Sequence, residues 1–300
     1  MTTLLVLMLS LIGLGSQADA SALRVTHRAR AIAPGEVVLV EVNASVPLKA
    51  LRAVWSASAA RSGAAGVPVT FYALDPQRWQ GLVPIDLEAR AGRYVLTLHA
   101  NATAGRELVR EYPITVAART FPARRITVEA KFAEPPAEAL PRIDKERKTV
   151  EGLFAATTPE RLWTKPFAVP VPGQATSSFG RRSIVNGQPR SPHTGTDFQA
   201  ASGTPVVAPN DGRIVLAADL YFSGNTIIID HGLGVYSYLA HLSAFDVAEG
   251  QVVRRGQEIA RSGATGRVTG PHLHWTLRLG AARVDPLSLL AAFDAPPAVR

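Results

Sequence analysis

Apolar and polar positions divide the chain into three stretches of different rhythm. Between residues 21 and 117, short apolar runs rich in β-branched and aromatic residues (Val37–Val42, Val67–Tyr72, Tyr94–Leu98) are separated by turn dipeptides such as Pro34-Gly35 and Ala91-Gly92. About a hundred residues of such short strands predicts a small sandwich of immunoglobulin type. From 118 to 170 the composition shifts to Pro, Glu, Arg and Lys, while Leu140, Ile143, Val150, Leu153 and Phe154 recur near helical spacing. This predicts a charged connector with one amphipathic helix, serving as a spacer that packs lightly on a domain or as a partner-binding element. From 171 to 300, β-rich runs alternate with Gly-containing turns: Thr204–Ala208, Gly212–Leu216, Asn225–Asp230, Val235–Leu239 and Leu273–Leu277. Only Pro286–Leu290 begins a further short helix. The expected architecture is mainly β, with two β domains joined by the connector and no internal repeat.

The N-terminus carries a different pattern. Leu4–Gly15 is an apolar run followed by Ala18-Asp19-Ala20, small residues at both positions read by signal peptidase. Residues 1–20 are therefore expected to be a cleaved export signal, although Met1-Thr2-Thr3 lacks the usual basic residue. The run is too short for a comfortable membrane span, so no stable span is expected after cleavage. The expected location is periplasmic or secreted. There is no cysteine, which excludes a thiol nucleophile, a cysteine metal cluster and structural disulfides.

The formal net charge is +8, which raises the question of nucleic acid. Residues 1–117 hold 11 basic and 8 acidic side chains, 118–150 hold 8 and 5, and 151–300 hold 13 and 11. A nucleic-acid binder concentrates such charge on one face or element, so no nucleic-acid partner is expected. Dispersed positive charge suits loose attraction to a polyanionic surface, or ordinary solvation. The sequence assigns no oligomeric state.

Five of the seven histidines fall from residue 193 onward, and four of these, His193, His241, His272 and His274, stand in motifs that suggest a site. His193 and Asp197 lie four apart with Gly195 between them, so an imidazole and a carboxylate can converge over a residue without a side chain. His272 and His274 lie two apart and share one face of a strand. Two imidazoles and one carboxylate form the usual ligand set of a catalytic zinc, leaving a position for water. Five candidates for four coordination positions leave a surplus for chemistry. His27 and His99 stand alone and read as satisfied strand histidines. No His-Glu-x-x-His helix, Gly-x-Ser-x-Gly elbow or phosphate-binding loop occurs.

The motifs occur in a recognisable order: Ser178–Arg182, His193–Asp197, Gly224-Asn225, Asp230-His231-Gly232, Tyr238–Leu242, and Ser262–Gly266 running to Gly270-Pro271-His272-Leu273-His274-Trp275. Over residues 176–286 the chain resembles the lysostaphin-type zinc metallopeptidases, which cut peptide cross-bridges in bacterial cell wall. The resemblance implies one Zn²⁺ per chain held by His193, Asp197 and His274, with His241 and His272 as the catalytic pair and peptidoglycan peptides as partners. Either histidine could be the base. His272 is favoured by its place two residues from His274, and His241 would then orient water or stabilise the oxyanion. Rival readings are a non-catalytic wall-binding or hydrolase-activating module, and a metallopeptidase acting on proteins.

Neighbouring residues carry two readings each. Arg182 contacts substrate or braces the loop before His193. Asn225 forms a turn or binds substrate, and Tyr238 packs in its strand or presents its hydroxyl to the cleft. His231 is expected in a turn role, and Gly263, Gly266 and Gly270 are expected to shape the loop along which a substrate backbone approaches. The first hundred residues contain no cluster of acids, bases or ligands. They are expected to position the C-terminal domain or cover its cleft, and a fragment beginning near Val171 is expected to work alone.

Overall fold

The computed structural model describes residues 22–58, 66–127, 134–176, 179–296 and 298–299. The expected export signal and Ser178 lie outside them. Among the described residues no helix is long and apolar enough to cross a membrane.

Seven strands build the N-terminal part: β1 (Leu23–Arg28), β2 (Val37–Ala44), β3 (Leu48–Ala57), β4 (Val67–Ala73), β5 (Arg78–Pro84), β6 (Gly92–Ala102) and β7 (Glu107–Val116). Strands β1-β2-β5-β4 lie side by side, and β3-β6-β7 continue the path. This is the strand partition of an immunoglobulin constant-type domain. Strand β4 bonds to both β5 and β3, so the two sheets are joined along one side into a near-barrel. Alternation along the strands sends Val38, Val40 and Val42 from one sheet and Leu96, Leu98 and Ile114 from the other into a common core. His27 is buried there beside the Tyr112 hydroxyl at 2.8 Å, and His99 lies 3.5 Å from Glu107.

The connector does not behave as a lightly packed spacer. Its strand β8 (Ala123–Ile126) pairs in parallel with β9 (Arg182–Val185), whose hairpin partner is β10 (Gln188–Pro189). Helix α1 (Leu140–Ala155) lays Val150, Leu153 and Phe154 against Leu216, Leu220, Ile228 and Tyr236. Its outer face is laced by Arg142–Glu146, Lys148–Asp144 and Arg147–Glu151 pairs. Trp163 and Phe167 are then buried in a cluster shared by both halves, with Val37, Leu39 and Leu82 on one side and Val235, Leu277 and Leu289 on the other. A Pro/Lys/Arg-rich composition concealed these anchors because only a few apolar residues make the contacts.

The C-terminal part contains β11 (Thr196–Gln199), β12 (Pro205–Val207), β13 (Gly212–Leu220), β14 (Gly224–Asp230), β15 (Val235–Phe245), β16 (Val252–Val253), β17 (Glu258–Ser262), β18 (His272–Leu279), β19 (Ala282–Val284) and helix α2 (Pro286–Asp294). Strand order is β11-β18-β15-β14-β13-β16, with β17 joining β15 to β12. Asp285 caps α2, accepting from Leu287 N–H, and Pro286 opens the first turn. A last strand, β20 (Ala298–Val299), returns to pair with β1.

The halves are also joined by buried charge. Glu36 receives Arg30 at 2.7 Å and Arg119 at 2.6 Å, and Arg30 reaches Asp285 at 2.7 Å. Asp285 in turn accepts from Thr196 Oγ1 at 2.8 Å, one residue from Asp197. The expectation of a self-sufficient fragment from Val171 therefore conflicts with the packing, since such a fragment loses Trp163 and Phe167 and bares Leu277 and Leu289 to water. We expect Trp163→Ala to cost ~3–5 kcal/mol and to weaken both halves together. Urea unfolding followed by probes in each half checks this, and two separate transitions would contradict it.

Candidate metal centre and active site

Strand β18 lies between β11 and β15, and this register assembles the site. Asp197 pairs with His274 across β11–β18, and Ala240 pairs with the same His274 across β18–β15. Along β18, Leu273, Trp275 and Leu277 are fully buried, which leaves His272, His274 and Thr276 to share the opposite face. His193 enters from the loop after the β9–β10 hairpin, tied by His193 N–H to Arg181 C=O at 2.9 Å and Gly180 N–H to His193 C=O at 2.8 Å.

The side chains converge tightly. Asp197 Oδ1 lies 3.1 Å from His193 Nε2 and 2.9 Å from His274 Nδ1. One ligand atom from each of the three residues falls within 4.8 Å of the other two. Donors bound to zinc at ~2.0–2.2 Å in a tetrahedron stand ~3.4 Å apart, so the donor set and its spacing fit that ion. Gly195 is required here, because a Cβ on it would come within 2.7 Å of His274 Nε2 and 2.5 Å of the Trp275 carbonyl oxygen. The surroundings also set protonation. Burial alone would raise the Asp197 carboxyl, but hydrogen bonding and charge from His193 and His274 hold it well below the usual carboxylate range. Burial lowers His274 despite its bond to Asp197. A carboxylate and a neutral imidazole are the forms a metal ion takes.

The second pair is arranged differently. His241 and His272 stand with ring centroids 4.8 Å apart, and His241 lies 5.8 Å from His274. His241 Nδ1 faces the Thr265 carbonyl at 3.0 Å, and His272 Nδ1 faces the Gly270 carbonyl at 2.9 Å. A carbonyl only accepts, so each Nδ1 carries a proton and each ring turns its Nε2 away from that carbonyl. Burial first, then the charge of His274, pushes His241 down to about 4, so it is neutral across the physiological range. His241 has a left-handed backbone, φ 66°. It sits where β15 changes neighbour, paired with β18 up to Ala240 and with β17 from Leu242 onward. Such a conformation is costly for a residue with a Cβ and is held by its surroundings, here Ser223 C=O accepting from His241 N–H at 2.9 Å.

A comparison with known proteins agrees with this geometry. Residues 191–286 match the model of peptidase family M23. A crystal structure from Pseudomonas aeruginosa, described as a peptidase of that family, is 31% identical, with a TM-score of 0.66 over 87% of this chain and 96% of that one. The chain belongs to peptidase family M23. The N-terminal sandwich falls within the shared structure, since the match reaches well beyond the 96 residues of the family model. Among curated relatives, the peptidoglycan DD-endopeptidases ShyB and ShyA of Vibrio cholerae are 40% identical over 116 residues and 49% over 86 residues. The DD-carboxypeptidase/endopeptidase Mpg of Neisseria meningitidis is 47% identical over 97 residues. These matches cover 38%, 29% and 32% of this chain but only 27%, 20% and 22% of the relatives.

The other sequence candidates are placed as follows in this M23 chain. Arg182, on β9, brings its guanidinium to 4.0 Å from Glu88 of the N-terminal half. Asn225 N–H donates to Thr265 Oγ1 at 2.9 Å, which ties β14 to the loop before His272. Tyr238 donates to Ser223 Oγ at 2.6 Å, and burial raises its pKa. His231 is fully buried between the Asp211 carbonyl and Ser237 Oγ, outside the metal centre. Gly266 and Gly224, both at positive φ, let their two loops touch, since a Cβ on Gly266 would come within 2.4 Å of Gly224 N. One partner went unread in the sequence: Thr276 Oγ1 sits 2.9 Å from His274 Nε2. Extending the His-x-His alternation by one step would have found it.

Burial pushes His231 down to about 4 from 6.5. The unfolded chain therefore takes up this proton at higher pH than the folded chain does. Stability should be complete above 6.5 and fall as the pH drops towards 4, by up to ~3 kcal/mol from His231. Urea midpoints measured from pH 7 to pH 4 check this. His231→Gln should flatten that slope, and an unchanged slope would refute the assignment.

Proposed function

We propose that this protein is an exported, zinc-dependent endopeptidase that hydrolyses peptide bonds in peptidoglycan stem peptides or cross-links. One observation carries the reading: a three-residue ligand cluster stands beside two further histidines whose Nδ1 atoms are held by backbone carbonyls. A binding module has no use for the second pair. The curated relatives named for peptidoglycan endopeptidase activity support the choice of substrate over a protein target, and the expected export signal agrees with it.

In this reading His193 Nε2, Asp197 Oδ1 and His274 Nδ1 hold the ion. When bound, Zn²⁺ supplies Lewis-acid polarisation of the scissile carbonyl and acidifies water towards neutrality. Holding the ion at Nδ1 requires the His274 proton to sit on Nε2, where Thr276 Oγ1 accepts it and fixes the ring. His272 Nε2, 3.7 Å from Asp197 Oδ1, takes the proton of the attacking water and returns it to the leaving amine nitrogen. His241 Nε2 orients that water from the other side. Burial and the charge of His274 lower the His241 pKa to about 4, which keeps its Nε2 available as an acceptor near neutral pH.

Two sets of outcomes follow. Purified protein should carry about one Zn²⁺ per chain and release peptide fragments from purified cell wall, identified by mass, until a strong chelator is added. Full activity in metal-free protein would falsify the metal assignment. His193→Ala and His274→Ala should lose both metal and turnover. His241→Ala and His272→Ala should keep the metal while turnover falls ~10²–10⁴-fold. Metal analysis alongside kinetics separates the pairs, and loss of metal from His272→Ala with retention in His274→Ala would invert them.

A further inference from the structure

A cavity of about 610 Å³ opens on the seam between the two halves. Its origin lies in the sheet. Strands β4 and β5 pair only where Phe71–Ala73 meet Trp79–Gly81. Beyond that point β4 follows β3, with Val67 opposite Trp55, and β5 follows β2, with Pro84 opposite Val37. The strands part and the gap is walled by Val67 and Leu82 of the sandwich, Phe154 of α1, Trp163 of the connector and Leu279 of β18. Val67 stands 48% exposed at the rim.

One cation lines this apolar space. Arg278 donates to the Ala281 carbonyl at 2.8 Å and lies 4.9 Å from the Phe154 ring. Its Nε–H has no acceptor, and no carboxylate of the described residues lies within ion-pair distance of it. Other arginines on the seam differ: Arg30, Arg119 and Arg283 each meet a carboxylate at 2.6 to 2.8 Å. Glu151 also lines the cavity, but Arg147 engages it at 2.9 Å.

We propose that the seam cavity binds an amphiphile with an unbranched apolar chain and a single terminal carboxylate. The walls take the chain out of water, and the planar guanidinium of Arg278 meets the carboxylate. A wholly apolar ligand would cover that half-buried charge without pairing it, which costs free energy. A peptide strand laid along the gap needs backbone donors from its walls, and Pro68 and Pro84, both lining residues, have none. The volume falls within the ~300–1,000 Å³ of ordinary small-molecule sites. This site does not depend on the peptidase reading.

Isothermal titration of the full chain with sodium decanoate, kept below its micelle concentration, and with 1-decanol tests the proposal. Decanoate should bind once per chain, with decanol at least tenfold weaker. Arg278→Met should lose about tenfold or more for decanoate and little for decanol, and Arg278→Lys should recover part of the loss. Val67→Trp, at the exposed rim, should block both ligands without touching the core. Absence of saturable decanoate binding, equal binding of the two ligands, or wild-type affinity in both Arg278→Met and Val67→Trp would overturn it.

Discussion

The candidate site depends on the hydrogen-bond register of one strand, His272–Leu279, seated between Thr196–Gln199 and Val235–Phe245. Side chains alternate along a strand, so a slip of one residue would send His272 and His274 into the core and bring Leu273 and Trp275 to the cleft. The core prevents this. Trp275 and Leu273 are fully buried beside Phe198, Ile227 and Leu239, and burying two imidazoles in their place would leave polar nitrogens without partners. The apolar face of β18 thus fixes where its polar face points, and Asp197 and Ala240 meet His274 as a result.

Within that frame, the backbone makes the chemical distinction between the two pairs of histidines. His241 and His272 lose Nδ1 to carbonyl oxygens and keep Nε2 for the cleft. His274 instead turns Nδ1 towards Asp197 and places Nε2 against a hydroxyl. A hydroxyl both donates and accepts, so Thr276 can support either tautomer of His274, which a carbonyl could not. The left-handed backbone of His241 belongs to the same logic. It marks the residue at which β15 leaves β18 for β17, so the ring is carried by a local distortion that packing maintains.

The N-terminal sandwich and connector belong to the structural support of this site. Glu36 is almost wholly buried beside Arg30 and Arg119, and Arg30 also holds Asp285. Breaking one member of such a network leaves a buried charge without its partner, which is where its cost lies. Asp285 serves three partners at once, capping α2, receiving Thr196 and pairing with Arg30. The strand holding Asp197 is therefore in contact, through two side chains, with the opposite half of the molecule.

Local patterning determined much of this protein. Runs rich in β-branched and aromatic residues, set off by turn signals, marked the strands at Val37–Val42, Asn225–Asp230 and Leu273–Leu277, and helical spacing marked Leu140–Phe154. The His-x-x-x-Asp and His-x-His spacings identified four residues that the fold gathers, and the family motif supplied His241. His272 and His274 share a face because residues two apart on a strand do so whatever lies around them, whereas His193 reaches Asp197 from a loop. Partners distant in sequence and backbone acceptors leave no such trace. The Thr265 and Gly270 carbonyls could not be read, since every residue has one. Arg182 followed the family motif, yet its side chain turns to Glu88, which is 94 positions earlier in the chain. Trp163 and Phe167, set in a charged and Pro-rich stretch, show no periodicity. Their composition reads as a spacer, and they are core because the faces of both halves close over them. Sequence spacing determines which side chains share a face, and tertiary packing decides what that face meets.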